Sequence, residues 1–251
     1  MKGVILAGGT GTRLYPLTKV TNKHLLPVGR YPMIFHAISK LKEADIQNIL
    51  VVTGKEHMGD VVNLLGSGNE MGVSFTFKVQ DEAGGIAHAL GLAEQFIGNE
   101  KMVVILGDNV FSESIVPYAN NFKMQPRGAK ILIKEVHDPQ RYGVPQISNN
   151  FIINIEEKPK NPKSNYAVTG IYMYDSSVFD IIKTLHPSER GELEITDVNN
   201  FYIAKSQLTY DILGGWWTDA GTHLSLTKAN ELAQEIVLPK EFGYLRNERI
   251  M

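Results

Sequence analysis

Short apolar runs and helical periodicities alternate along the first half of the chain. Residues 4–7, 49–52 and 102–106 are four or five apolar positions in a row, the length of a buried strand. Residues 73–79 alternate apolar and polar as a strand does, and end at Gln80. Behind Pro32, the residues Met33, Ile34, Ala37, Ile38 and Leu41 recur at helical spacing and predict a helix to Ala44. Residues 58–65 predict a second helix, stopped by Gly66-Ser67-Gly68, and residues 86–97 a third. Strands that alternate with helices predict an α/β fold on a parallel sheet.

After about residue 128 the texture changes. Residues 129–136, 143–148, 151–155 and 167–174 read as successive strands with short turns. A helix over 178–185 follows, then one capped by Thr196 that runs to about Lys205. A strand over 208–213, a turn over 217–222 and a helix to about Ile236 complete the pattern, and the last dozen residues read as loosely held. No linker divides the chain. Residues 1–251 are expected to form one domain, with a first half over about 1–128 and a second over about 129–240.

Composition changes this picture only at its edges. Apolar residues at 43 % and charged residues at 21 % are ordinary for a water-soluble globular protein. The chain has no cysteine, which excludes disulfides and thiolate metal sites and fits a cytoplasmic enzyme. No run approaches the roughly 18 apolar residues of a membrane span. A net charge of −2, with no basic stripe carrying stacking aromatics, argues against nucleic-acid binding. The charge is unevenly spread, however. Lys2, Arg13, Lys19, Lys23, Arg30, Lys40 and Lys42 all precede the first acid, Glu43. That asymmetry points to a local anion site.

The first strand leads straight into Gly8-Gly9-Thr10-Gly11-Thr12-Arg13. Glycines let a ligand approach backbone N–H groups, and nearby cations suit phosphate. The run is not a P-loop, which needs G-x4-G-K-[ST]. It is not a dinucleotide fingerprint either, because Leu14 stands at the third glycine position. Ligands of parallel sheets sit beyond the carboxyl ends of the strands. The glycine loop, Gln80 and Asp108 all fall at such ends, which makes them one candidate site.

Leu6 to Thr18, together with Lys23, resembles the L-A-G-G-x-G-T-R-L-x-P-L-T signature of the sugar-1-phosphate nucleotidyltransferases. Further segments match in order: Leu106-Gly107-Asp108, Arg141-Tyr142-Gly143-Val144, Glu157-Lys158-Pro159, Val168-Thr169-Gly170, Arg190 to Asp197, and Trp217-Thr218-Asp219-Ala220-Gly221-Thr222. The resemblance covers about residues 1–230. It implies a Rossmann-like, mostly parallel central sheet flanked by helices, with an added β-rich region for the sugar. The chain ends before the extra C-terminal helices of longer members, so a short form is expected and its assembly, a homo-oligomer in the expectation, is left open.

The implied reaction transfers a deoxythymidylyl group from dTTP to glucose 1-phosphate with Mg²⁺ as cofactor. UTP differs from dTTP by one methyl, and the residues leave both open. A nucleotide-sugar-binding regulatory subunit without turnover is the alternative of another class. By resemblance, Leu6, Ala7, Gly8, Gly9, Gly11, Thr12, Arg13, Gln80, Gly85 and Asp108 bind the nucleotide. Asn109, Gly143, Glu157, Lys158, Val168 and Arg190 bind the sugar phosphate, and Asp108 and Asp219 hold the metal. The catalytic set is Arg13, Lys23, Asp108, Lys158 and Asp219. One loop departs from the family's D-G-L-A-Q-A form: Gly84 replaces the aspartate and His88 the glutamine, and His88 reads as a helix-face residue.

Overall fold

Strand β1 (Lys2–Ala7) is sheathed on both sides, and its alternate residues face two separate cores. Ile5 and Ala7 point into one and Val4 and Leu6 into the other, as the period of two in a strand requires. All four are under 9 % exposed, so Ile5→Ala would cost about 2 to 5 kcal/mol. The computed structural model describes residues 1–243.

In chain order a small hairpin, β2 (Pro27–Val28) and β3 (Tyr31–Pro32), precedes α1 (Met33–Glu43), β4 (Asn48–Gly54), α2 (Met58–Leu65) and β5 (Ser74–Gln80). Next come α3 (Ile86–Gly91), α4 (Glu94–Ile97), β6 (Met102–Leu106), β7 (Asn109–Phe111), α5 (Val116–Met124) and β8 (Ala129–Glu135). Then follow β9 (Gly143–Ser148), β10 (Phe151–Glu157), β11 (Tyr166–Tyr174), α6 (Val178–Thr184) and α7 (Ile195–Ala204). The last elements are β12 (Leu208–Ile212), β13 (Trp217–Asp219) and α8 (His223–Leu232).

Seven strands form the main sheet in the order β12-β8-β11-β6-β1-β4-β5. All pair in parallel except β11, which runs against both β6 and β8. The expected mostly parallel α/β sheet is present, and strands from both halves of the chain share it. Besides the β2–β3 hairpin, two antiparallel pairs lie outside it, β9 with β10 and β7 with β13. The second pair decides the site's geometry. Asp219 lies opposite Asn109 in the ladder, and Ala220 N donates to the Asp108 carbonyl at 2.8 Å. Two aspartates far apart in sequence thereby become neighbours.

Three local expectations need correction. The helix expected over 86–97 is two, because Leu92 and Ala93 donate to carbonyls three residues back and tighten the turn between them. Thr196 lies inside α7 rather than capping it, and its hydroxyl is drawn off to Glu157. The turn expected over 217–222 begins as strand β13. Helix α5 was not anticipated: within it only Ala119 and Phe122 are buried, too sparse a pattern to signal a helix. Of the last dozen residues, Phe242 is buried with its ring 5.7 Å from that of Phe35, whereas residues 244–251 lie outside the described part.

Candidate active site

The glycine loop turns tightly because two of its glycines occupy left-handed backbone, Gly9 at φ 90° and Gly11 at φ 64°. Gly11 is also wedged against Thr18, whose hydroxyl donates to the Gly11 carbonyl at 2.8 Å. Leu6 and Ala7 are buried in β1 and bring the chain to the loop, while Thr12 and Arg13 open a short 3-10 turn and are exposed. Gly8 lies against the Gln80 side chain: a Cβ there would sit 2.6 Å from Gln80 Oε1. Asn22 closes the floor, donating to the Ala7 carbonyl and to Thr53 Oγ1. A cleft opens above, lined by Gly9, Thr10, Asn22, Lys23, Lys55, Gln80 and Asp81 among others.

Asp108 lies just past β6, its side chain 13 % exposed. Lys23 Nζ meets its Oδ2 at 2.5 Å and Asn109 Nδ2 donates to its Oδ1 at 3.1 Å. Burial alone would raise this carboxyl. The Lys23 charge and these hydrogen bonds outweigh it and hold the group well below the carboxylate range. Asp108 is therefore an anion at neutral pH. Neighbouring His24 is driven the other way: burial and then Lys23 push it down to about 3, so it is neutral.

Asp219 arrives from β13. The Arg141 guanidinium reaches both its oxygens, at 3.1 and 3.2 Å, and the Tyr142 hydroxyl donates to Oδ1 at 2.8 Å. Burial and the Asp219 charge push the Tyr142 phenol far up, so it stays a donor. The space between the two aspartates is kept clear by Gly221. A Cβ on it would lie 3.2 Å from Asp219 Oδ2, 3.4 Å from Asp108 Oδ2 and 3.3 Å from an Arg13 guanidinium nitrogen. Arg13, Asp108 and Asp219 thus converge on one small volume. Among the described residues there is no cluster of three or more His, Cys, Asp or Glu fit to hold a metal. Two carboxylates with a cleared space suit a Mg²⁺ ion that takes its other ligands from phosphate and water.

Glu157, Lys158 and Arg190 meet on the second side. Lys158 Nζ and an Arg190 guanidinium nitrogen lie 3.4 and 3.5 Å from Glu157 Oε1, while Thr196 donates to Glu157 Oε2 at 2.6 Å. Gly143 leaves room beside that carboxylate, since its Cβ would be 3.6 Å from Glu157 Oε2. Arg190 is anchored by the buried Glu194, to whose two oxygens it donates at 2.8 and 2.7 Å. Lys158 itself has φ 45°, unusual for a residue with a side chain and more so before a proline. Val168 is buried in β11. Asn109 is also buried, its Oδ1 accepting from Gly170 N and Trp217 Nε1.

The two sides are joined by backbone. Leu193 N donates to the Gly84 carbonyl at 2.8 Å and Ala87 N to the Leu193 carbonyl at 3.1 Å. Gly85, at φ 100°, packs so closely there that a Cβ would be 2.5 Å from the Leu193 oxygen. Arg141, Tyr142, Thr196 and Glu194 were not assigned to the site from the sequence. The R-Y-G-V and R-G-E-L-E-I-T-D matches contained them, but which acid each would grip depends on the fold. The charge asymmetry also splits: Arg13 and Lys23 are in the site, whereas Lys2 pairs with Glu100, Lys40 donates to the Ser112 carbonyl, and Lys42 pairs with Glu241.

A glycine loop at a strand's carboxyl end, near two aspartates and a separate pair of cations, offers the backbone N–H groups and positive charge that suit phosphate. The chain belongs to the nucleotidyl transferase family, whose model matches residues 2–236, and it is an enzyme. Among its relatives is the glucose-1-phosphate thymidylyltransferase of Neisseria meningitidis, 44 % identical over 94 % of this chain and 83 % of that one. That of Xanthomonas campestris is 41 % identical over 94 % and 81 %. A crystal structure from Bacillus anthracis, provisionally named a glucose-1-phosphate thymidylyltransferase and holding sucrose, is 67 % identical, with a TM-score of 0.94 over 97 % of this chain and 99 % of that one. No helix of the described residues is long and apolar enough to cross a membrane.

Proposed function

We propose that this enzyme makes dTDP-glucose and pyrophosphate from dTTP and glucose 1-phosphate, acting as one domain whose first half, about 1–128, binds the nucleotide and whose second, about 129–240, binds the sugar phosphate, in the cytoplasm and as a homo-oligomer. The names of the relatives support the substrates. The observation that carries the chemistry is the convergence of Arg13, Asp108 and Asp219 around Gly221.

A phosphate oxygen of glucose 1-phosphate attacks the α-phosphorus of dTTP. A new P–O bond forms, and the bond to the β-phosphate breaks with its electron pair leaving on pyrophosphate. The nucleophile is already anionic, so no general base is needed. The obstacle is repulsion between two polyanions, and the site's task is to neutralise charge and hold the pair in line. Arg13 and the N–H groups of residues 8–11 hold the departing pyrophosphate. Lys158 and Arg190 hold the attacking phosphate, Glu157 accepts from sugar hydroxyls, and Gln80 reads the base. Lys23, already at Asp108, adds positive charge near the α-phosphate. Asp108 and Asp219 would hold Mg²⁺, which when bound supplies charge that offsets the repulsion between the phosphates.

Pyrophosphate release from glucose 1-phosphate, measured with dTTP and with UTP and with and without Mg²⁺, tests this. Mg²⁺-dependent release at least about tenfold better with dTTP is expected, at the scale one pocket methyl allows. Equal use of UTP would keep the mechanism and change the substrate. No release with either would overturn the reading.

A further inference from the structure

The base-facing end of the cleft has a feature that the transfer chemistry does not use. Gln80 is 6 % exposed and its carboxamide is held from one side. Its Nε2 lies 3.1 Å from His88 Nδ1 and 3.4 Å from the Gly85 carbonyl oxygen. Its Oε1, across the amide from Nε2, lies against Gly8 of the glycine loop, where a Cβ would be 2.6 Å from it, and Gln80 is one of the residues that line the cleft. The Gly85 oxygen can only accept. The amide NH₂ is therefore the group that belongs on this side, and His88 Nδ1 must accept as well. That fixes the tautomer, with the imidazole proton on Nε2 and a lone pair on Nδ1. Reversed, the amide would set its oxygen against the Gly85 oxygen and that lone pair.

His88 can stand there only because residue 84 has no side chain. A Cβ on Gly84 would lie 2.6 Å from His88 Nδ1 and 2.9 Å from its Cγ. Positions 84 and 88 are the two at which this loop departs from its family's form, and they are a matched pair: the glycine makes the space that the imidazole fills. With the amide so oriented, Gln80 keeps an acceptor on the glycine-loop side, where the cleft opens. Its complement is a ring N–H, such as the imide N3–H of thymine or uracil. Cytosine, with a bare nitrogen at that position, has nothing to donate.

We propose that His88, seated in the space left by Gly84, is a positioning residue that fixes the Gln80 carboxamide and thereby makes the pocket select nucleotides with an imide N–H over cytosine nucleotides. This rests on the proposed nucleotidyl transfer and on Gln80 as its base contact.

The test is kcat and KM for dTTP and for dCTP, with glucose 1-phosphate, in the wild type, His88→Ala, His88→Asn and Gly84→Ala. The Asn Oδ1 stands near the place of His Nδ1 and accepts as it does. A lost neutral hydrogen bond is worth a factor of about 2 to 10. His88→Ala is expected to raise KM for dTTP about 5- to 10-fold with kcat within about twofold, and to lower the dTTP/dCTP ratio of kcat/KM by about the same factor. His88→Asn should restore that ratio to within about threefold, and Gly84→Ala should reproduce the His88→Ala loss. A wild type that turns over dTTP while His88→Ala keeps its ratio overturns this inference alone, and so does a His88→Asn variant no better than His88→Ala. A wild type that turns over neither nucleotide overturns the proposed function and this inference together.

Discussion

The Tyr142 hydroxyl donates to Asp219 Oδ1 at 2.8 Å, and the carbonyl of the same tyrosine accepts from Lys158 N at 3.0 Å. One residue thus spans the acid proposed to hold metal and the lysine proposed to hold the sugar phosphate. The Tyr142 ring is itself fixed edge-on to Trp217, with centroids 5.3 Å apart. A hydrogen bond to a charged group is worth about 1.5 to 3 kcal/mol. Tyr142→Phe is expected to lower kcat about tenfold or more and to raise the Mg²⁺ concentration needed for half-maximal rate, while the melting temperature falls by no more than about 12 °C. A metal titration of initial rates checks this.

Gly221 is a steric sentinel. Its Cβ would crowd Asp219, which Arg141 and Tyr142 pin, and Asp108, which Lys23 pins. Only Arg13, the exposed third neighbour, is free to give way. Gly221→Ala should therefore leave the fold intact by circular dichroism and reduce turnover by about 10- to 100-fold, at a scale set by small misplacements in a site that works by positioning.

Charge and fold separate at Arg13 and Asp108. Removing one preorganised charge costs about 3 to 4 kcal/mol of transition-state stabilisation, or roughly 10² to 10³ in rate. Arg13→Ala and Asp108→Asn are expected to lose that much turnover. Arg13 is exposed, so its loss should change the urea midpoint little. Activity within a few-fold of wild type would remove either residue from the mechanism.

Lys158 distinguishes strain from charge. A non-glycine residue in left-handed backbone costs about 1 to 2 kcal/mol that glycine does not. Lys158→Gly is therefore expected to be at least as stable as wild type in urea, and Lys158→Ala is not. Both should lose the lysine's contribution to turnover and raise KM for glucose 1-phosphate.

Two buried imidazoles make stability fall in acid. Burial pushes His24 from 6.5 down to about 3, and burial also lowers His36, whose Nε2 meets the Val28 carbonyl at 2.9 Å. In the unfolded chain both take up protons near pH 6.5; in the folded chain they resist. The stability they contribute is fully present above about pH 6.5 and is lost as the pH falls toward 3, by about 1.4 kcal/mol per pH unit for His24. Urea midpoints at pH 7.5 and pH 5 should show the drop, and His36→Gln should make it smaller.

The parts of this site written in local sequence were readable. Strand patterns end at Ala7, Gln80 and Leu106, so the glycine loop, Gln80 and Asp108 were placed at the carboxyl end of one sheet by reading apolar positions. Asp219 was not legible that way. Its place beside Asp108 comes from the β7–β13 ladder, and only resemblance pointed to it. Thr196 shows why local rules failed: it is a residue type that caps helices, yet it lies inside α7 and its hydroxyl donates to Glu157 from a distant strand. Glu194 and Arg141 are ordinary surface-type residues in sequence, and only the fold reveals which charge each restrains.

The pairing of β7 with β13 also bears on how the molecule comes into being. The Trp217–Asn109 hydrogen bond joins positions 108 residues apart, so this ladder closes a very large loop. Contacts of such span carry the greatest closure entropy and slow folding. A nascent chain can complete β1, β4, β5 and β6 before residue 217 has been synthesised, and at that stage Asp108 has no Asp219 beside it. Asp108 and Asp219 therefore come together only in a chain that has been made past β13 and has paired it with β7.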